Sequence, residues 1–140
     1  MSVTTAPLAA TTAPTTSLLT RGLAATCIAS AATTTVAAAG RLAGISLDVS
    51  GAPVPVLGFA VLTAVFSVAG LVLALVLRRA TRRPWAMFVR TTVVLTALSL
   101  VPDALADASV ATTLLLMLTH LVAAVIVIPV VARRLPAGTN

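Results

Sequence analysis

The fold of this chain is decided by residues 54–83, which read VPVLGFAVLTAVFSVAGLVLALVLRRATRR. The first 24 of them carry no charged side chain, and a helix needs about 20 apolar residues to cross a bilayer. Four arginines then follow, at positions 78, 79, 82 and 83. Because positive side chains beside a span favour the cytoplasmic side, this stretch predicts a membrane helix that ends at the cytoplasmic surface.

The composition extends the same interpretation to the whole chain of 140 residues. Of these residues 59% are hydrophobic and 9% are charged, whereas a soluble domain carries about 25% charge. We therefore predict an all-α integral membrane four-helix bundle with cytoplasmic N and C termini, residing as a multi-pass protein in a bacterial plasma membrane. The predicted spans cover residues 18–39, 54–77, 85–101 and 110–132.

The spans define one transmembrane domain, residues 18–135, between two cytoplasmic tails. Residues 1–17 are Thr, Ala, Pro and Ser with few bulky side chains, which predicts disorder, and residues 136–140 form the second tail. The first span has an alternative interpretation as a signal peptide, with Arg21 as the basic region and residues 37–39 as the cleavage site. Pro102 is expected to end the third span, and residues 45–50 are expected to lie extended at the outer interface.

The predicted topology separates positive and negative side chains between the two sides of the membrane. Eight of the nine arginines fall on the cytoplasmic side, and the three acids, Asp48, Asp103 and Asp107, fall in outer loops. The net charge of +6 does not indicate a nucleic-acid binder, because the arginines stand at span ends and aromatic side chains for base stacking are few. The residues expected to fix orientation and contact anionic headgroups are Arg78, Arg79, Arg82, Arg83, Arg133 and Arg134.

Arg90 lies about one and a half turns inside the third span. We expect its side chain to reach back to the headgroups. The alternative is an arginine that lines a pore or binds a substrate.

His120 is the one ionisable residue near the middle of the fourth span, and an ionisable side chain at that depth predicts function. Counting inward on the other spans places hydroxyl side chains at the same level, so a polar layer around His120 is a candidate site. Its other members are Ser30, Thr63, Ser67, Thr92 and Thr96. The alternative is a neutral imidazole that holds two helices together by a hydrogen bond. With every acid placed in an outer loop, we expect His120 to have no carboxylate partner.

Enzymatic and metal chemistry are disfavoured by the residues present. The chain has one histidine, one cysteine and three acids, whereas structural zinc needs four ligands and a catalytic triad needs an acid beside its histidine. We therefore predict no catalytic residues, no cofactor and no metal. Cys27 has no second cysteine with which to form an intrachain disulfide.

Two segments resemble a known family. These are residues 116–124, LMLTHLVAA, with Ile128 and Pro129 following, and the outer-loop segment 44–49, GISLDV. They are similar to small four-span membrane proteins of GC-rich bacteria that are known only as a domain of unknown function. The resemblance covers residues 18–135 and implies the four-span topology, but no activity, cofactor or substrate.

Two functional hypotheses follow. Small residues recur every four positions on the first span, at Gly22, Thr26, Ser30, Thr34 and Ala38, which favours close helix packing. The first hypothesis is therefore a non-enzymatic protein that acts through helix–helix association, as an accessory subunit or a homo-oligomer. The second is a small transporter or ligand-binding bundle with His120 facing a cavity. Four-span drug exporters resemble it in topology, but they use an intramembrane carboxylate, which this topology does not provide.

Overall fold

Four long helices make up most of the structure, a computed structural model that describes residues 15–137. Their bounds are α1 Thr15–Leu42, α2 Val56–Ala80, α3 Pro84–Leu105 and α4 Val110–Ala132. Each helix is long and apolar enough to cross a membrane, and each coincides largely with one of the four predicted spans. Helix α1 packs against α2 and α4. Helix α3 packs against α4 and, less extensively, against α2.

Two helices extend beyond the predicted spans, and the second extension affects the site. Helix α1 begins at Thr15, so residues 15–17 of the predicted tail are helical; residues 1–14 and 138–140 lie outside the described residues. Helix α3 does not stop before Pro102 but continues to Leu105. A proline removes one backbone hydrogen bond, and in the last turn that loss falls where the helix is ending anyway. Asp103 therefore lies on a helix and not in a loop.

The small residues of α1 are buried inside the chain. Apart from the adjacent pair Ala25 and Thr26, its buried positions advance in steps of three or four and follow the 3.6-residue helical repeat. The predicted strict four-residue stripe therefore drifts off the buried face beyond Thr26. The buried positions are Leu18, Gly22, Ala25, Thr26, Ala29, Thr33, Ala37 and Gly40. Gly22 contacts the side chain of Leu71 on α2, and Gly40 contacts that of Leu115 on α4. These glycines let neighbouring helices approach closely.

The helices have two distinct ends, which we call the arginine end and the hairpin end. At the arginine end, where α2 and α4 finish and α3 begins, a buried cluster includes Leu18, Leu71, Phe88 and Val131. At the hairpin end a second cluster comprises Ala37, Leu47, Phe59 and Leu115. Each cluster joins residues from several helices, which fixes the helices against one another at both ends.

A short hairpin covers the hairpin end. Strand β1, Asp48–Val49, pairs antiparallel with β2, Ala52–Pro53, so this segment is paired and not merely extended as predicted. Ser50 and Gly51 form its turn at φ 53° and 77°, the positive angles of a two-residue hairpin turn. The Ser50 N–H donates to the Asp107 carbonyl at 2.8 Å. That bond ties the hairpin to the loop between α3 and α4.

Candidate functional site

The register of α3 against α4 determines which side chains meet between them. At the arginine end the Trp85 N–H donates to the Pro136 carbonyl at 3.3 Å. Helices α3 and α4 are antiparallel. Asp103 lies 18 residues after Trp85, so it is expected opposite Leu118, which lies 18 residues before Pro136. Leu118 is half a turn from His120. The offset between the two helices therefore carries Asp103 to the level of the histidine.

Asp103 and His120 contact each other across the two helices. The His120 Nδ1 atom lies 2.8 Å from Asp103 Oδ2 and 3.1 Å from the Leu116 carbonyl oxygen. The Asp103 side chain is 13% exposed and that of His120 is 37% exposed. Although Nδ1 is within ion-pair distance, the buried Oδ2 atom has no well-directed hydrogen bond. We therefore regard the contact as an electrostatic one and not as a hydrogen bond.

The contact corrects the prediction that His120 has no acidic partner. At this separation an N–H on Nδ1, which a neutral imidazole can also carry, faces the carboxylate oxygen. Carboxylate with imidazolium, and carboxylic acid with imidazole, are the two forms of the pair that are neutral overall. A net neutral pair is the form that a low-dielectric environment accepts at the smallest cost.

An open apolar groove lies between α3 and α4 beside the pair, and we call it the α3–α4 groove; neither Asp103 nor His120 is among its lining residues. Its volume is about 440 Å³. Leu100 lies one turn before Asp103 on α3, and Ala124 lies one turn after His120 on α4, so the groove runs from the pair toward the arginine end. Its lining residues are Val93, Thr96, Ala97, Leu100, Leu121, Ala124, Val125, Ile128 and Pro129.

The hydroxyl residues predicted to surround His120 do not bond to it. Ser30 donates to the Ala60 carbonyl at 3.2 Å, and the Thr63 hydroxyl lies 3.0 Å from that of Thr33. These contacts join α1 to α2, where Ser67 is also buried.

On α3 the threonine hydroxyls bond to their own helix. Thr92 donates to the Phe88 carbonyl at 2.8 Å, and Thr96 donates to the Thr92 carbonyl at 2.9 Å. Thr96 also lines the α3–α4 groove. The predicted polar residues are thus divided between the α1–α2 contact and this groove.

The sequence alone does not point to Asp103, because a proline at position 102 predicts the end of the helix. One signal for it was nevertheless present. Polar residues recur along α3 at Thr92, Thr96, Ser99 and Asp103, in steps of four, three and four that keep to one helical face. This repeat passes through Pro102 and indicates a helix that continues at least to Asp103.

The arginines predicted to contact headgroups lie at the arginine end. Arg78 and Arg79 are in the last turn of α2, Arg82 and Arg83 are in the turn before α3, and Arg133 caps α4 with Arg134 following. Among the described residues 15–137, no three His, Cys, Asp or Glu side chains gather as metal ligands would.

A family model described as a family of unknown function (DUF6069) matches residues 13–137. The chain belongs to this family. The match covers all four helices and the Asp103–His120 pair, so membership of a family of unknown function is confirmed, and the bacterial origin stays a prediction. No curated protein and no solved structure matches the chain.

Proposed function

We propose that this chain is a non-enzymatic membrane protein that binds a lipophilic cation in the α3–α4 groove. The carboxylate of Asp103 neutralises the positive charge, and the groove takes up the apolar part of the molecule. The observation that carries the proposal is the 2.8 Å contact between Asp103 and His120 at the end of an apolar groove. An acid inside a helical membrane segment is costly and marks a ligand or ion pathway by default.

The first hypothesis from the sequence, a role through helix association, loses part of its support. It rested on the small residues of the first two spans together with the absence of a reactive set of residues. Gly22, Thr33 and Gly40 of α1 are buried within the chain, as are Ser67 and Ala74 of α2. Those faces already serve packing inside one molecule, so they do not argue for a second protein.

Binding of a cation is expected to release one proton. In its neutral form the pair of carboxylate and imidazolium holds one titratable proton, and a cation beside the Asp103 carboxylate replaces the positive charge of the imidazolium. The proton then leaves His120 for water, and the pair with its ligand is neutral again. No covalent bond other than that N–H changes. Proton and cation therefore compete for one site, which is the basis of exchange of one for the other.

The other charged groups lie away from the pair along the helices. On α3, Arg90 lies more than three turns from Asp103, and α4 has no further titratable residue within its helical span. On α1 and α2 the ionisable residues other than Cys27, which is exposed, stand near helix ends: Arg21, Arg41, Arg78 and Arg79. The two other acids, Asp48 and Asp107, are exposed residues outside the helices, so the exchange is assigned to Asp103 and His120.

The orientation in the membrane is a separate part of the proposal. The arginine end carries Arg78, Arg79, Arg82 and Arg83, so we place it and both termini in the cytoplasm of a bacterial cell. Reporters active on only one side of the plasma membrane, fused after residues 47, 80, 106 or 140, should report outside, inside, outside and inside. An outside signal after residue 80 or 140 would contradict this orientation.

The binding test uses tetraphenylphosphonium, a lipophilic cation that has no titratable proton. At high pH, where protons compete least, the wild-type protein in detergent should bind it with saturation, and Asp103→Asn should bind at least about tenfold more weakly. Two unit charges 4 Å apart interact by about 4 kcal/mol at an effective dielectric constant of 20, before desolvation is counted. Equilibrium dialysis measures both affinities.

Asp107→Asn is the matched control, because it makes the same change of charge on an exposed loop residue. It should bind the cation as the wild type does. Equal affinity of the wild type and Asp103→Asn would contradict the proposed site. Equal losses of affinity in both variants would show a general effect of negative charge and not a site at Asp103.

A further inference from the structure

Arg90 lies on a surface of α3 that no other helix covers. Its side chain is exposed, and it lines a shallow depression of about 330 Å³. The other residues around the depression are Met87, Thr91, Val94 and Leu95, all of them on α3. In a membrane this surface faces lipid.

The position of Arg90 lets its guanidinium reach the headgroup region. Helix α3 begins at Pro84, so Arg90 lies six residues, or about 9 Å, into the helix at 1.5 Å per residue. Side chains on a helix point toward its N-terminus, which for α3 is the arginine end. The long side chain therefore extends back toward the headgroups along its own helix, with its apolar stem in the hydrocarbon.

No acidic side chain of the chain is near enough to balance this charge. The three acids are Asp48, Asp103 and Asp107. Asp103, on the same helix, lies thirteen residues away, or about 20 Å, and the other two lie in the loops of the hairpin end. The anion that a membrane provides at the depth of Arg90 is a lipid phosphate.

We propose that this depression binds one anionic phospholipid. The phosphate accepts hydrogen bonds from the Arg90 guanidinium, whose planar fork matches phosphate oxygens. One acyl chain lies over Val94 and Leu95, which follow Arg90 by about one turn toward the hairpin end. Charge complementarity at one end and an exposed apolar surface at the other thus fit the two parts of a single lipid. The site is independent of the Asp103–His120 pair.

Native mass spectrometry can count the lipids that the full-length protein retains. The protein is reconstituted with equal amounts of phosphatidylglycerol and phosphatidylcholine and then released from the bilayer. The wild type should retain about one phosphatidylglycerol per chain in preference to phosphatidylcholine. Arg90→Gln should reduce that retention about fivefold, the effect of one arginine near an anionic surface, and Arg90→Lys should preserve part of it.

Arg41→Gln is the control, because it removes an exposed arginine from the last turn of α1, at the hairpin end and away from Arg90. It should retain lipid as the wild type does. Equal losses in both variants would reveal only a general attraction to the surface, and unchanged retention in Arg90→Gln would overturn the site. A second variant, Val94→Trp, fills the depression and leaves the charge in place; it should also lower retention, and unchanged retention would count against the acyl-chain position.

Discussion

Substitution of Gly22 by valine is expected to destabilise the protein by about 3 kcal/mol, the upper part of the usual range for overpacking a core. A Cβ atom at position 22 would lie 2.1 Å from a Cδ atom of Leu71. Leu71 is itself buried, at 3% exposure, in the cluster at the arginine end. It has little room to move, so α1 and α2 would have to separate. Unfolding by heat or by a denaturing detergent measures the loss.

Gly70→Val provides the matched control, since a Cβ at Gly70 of α2 meets no atom within 4 Å. It should change the stability little. A second test places Gly22→Val in a Leu71→Ala background, where the smaller side chain leaves space and the valine should cost less than it does in the wild type. Equal costs in the two backgrounds would contradict the assigned contact between Gly22 and Leu71.

The second large effect is expected on the pH dependence of cation binding. If tetraphenylphosphonium displaces one proton from the Asp103–His120 pair, its Kd should fall about tenfold for each unit by which the pH is raised, as for any one-to-one exchange. This slope holds while the pair keeps its proton, and the Kd becomes constant once the pair has lost it. Two pH units within the proton-holding range thus change the affinity about a hundredfold.

Asp103→Asn should remove this dependence together with the tight binding, because an amide neither carries the charge nor shares the proton. Asp107→Asn should keep both the affinity and the slope. A wild-type Kd that is constant between acidic and alkaline pH would show that the pair takes no part in binding, even if the cation binds elsewhere on the protein.

The four helices were predictable from the sequence because each is a long apolar run, and the bilayer thickness sets the length that such a run needs. The face of α1 that packs was predictable only in part. Gly22 and Thr26 are buried as the small-residue stripe predicts, but Thr34 is only partly buried, since a four-residue repeat drifts around a helix of 3.6 residues per turn.

Of the two residues that form the site, His120 was predictable from the sequence and Asp103 was not. His120 is conspicuous because it is the one ionisable residue deep in its helix. For Asp103 the sequence predicts a loop, because Pro102 precedes it. The offset between α3 and α4 depends on the tertiary contact of Trp85 with Pro136. An offset of this kind comes from the packing of whole helices, so no local pattern in the sequence reports it.

The most direct test of the proposed function is a count of the protons released when the cation binds. Titration calorimetry of the wild-type protein with tetraphenylphosphonium, repeated in buffers with different ionisation enthalpies, gives this number at one pH. At a pH where the affinity still rises with pH, we expect about one proton released per cation bound. Saturable binding with no proton release at that pH would contradict the exchange between proton and cation at Asp103 and His120.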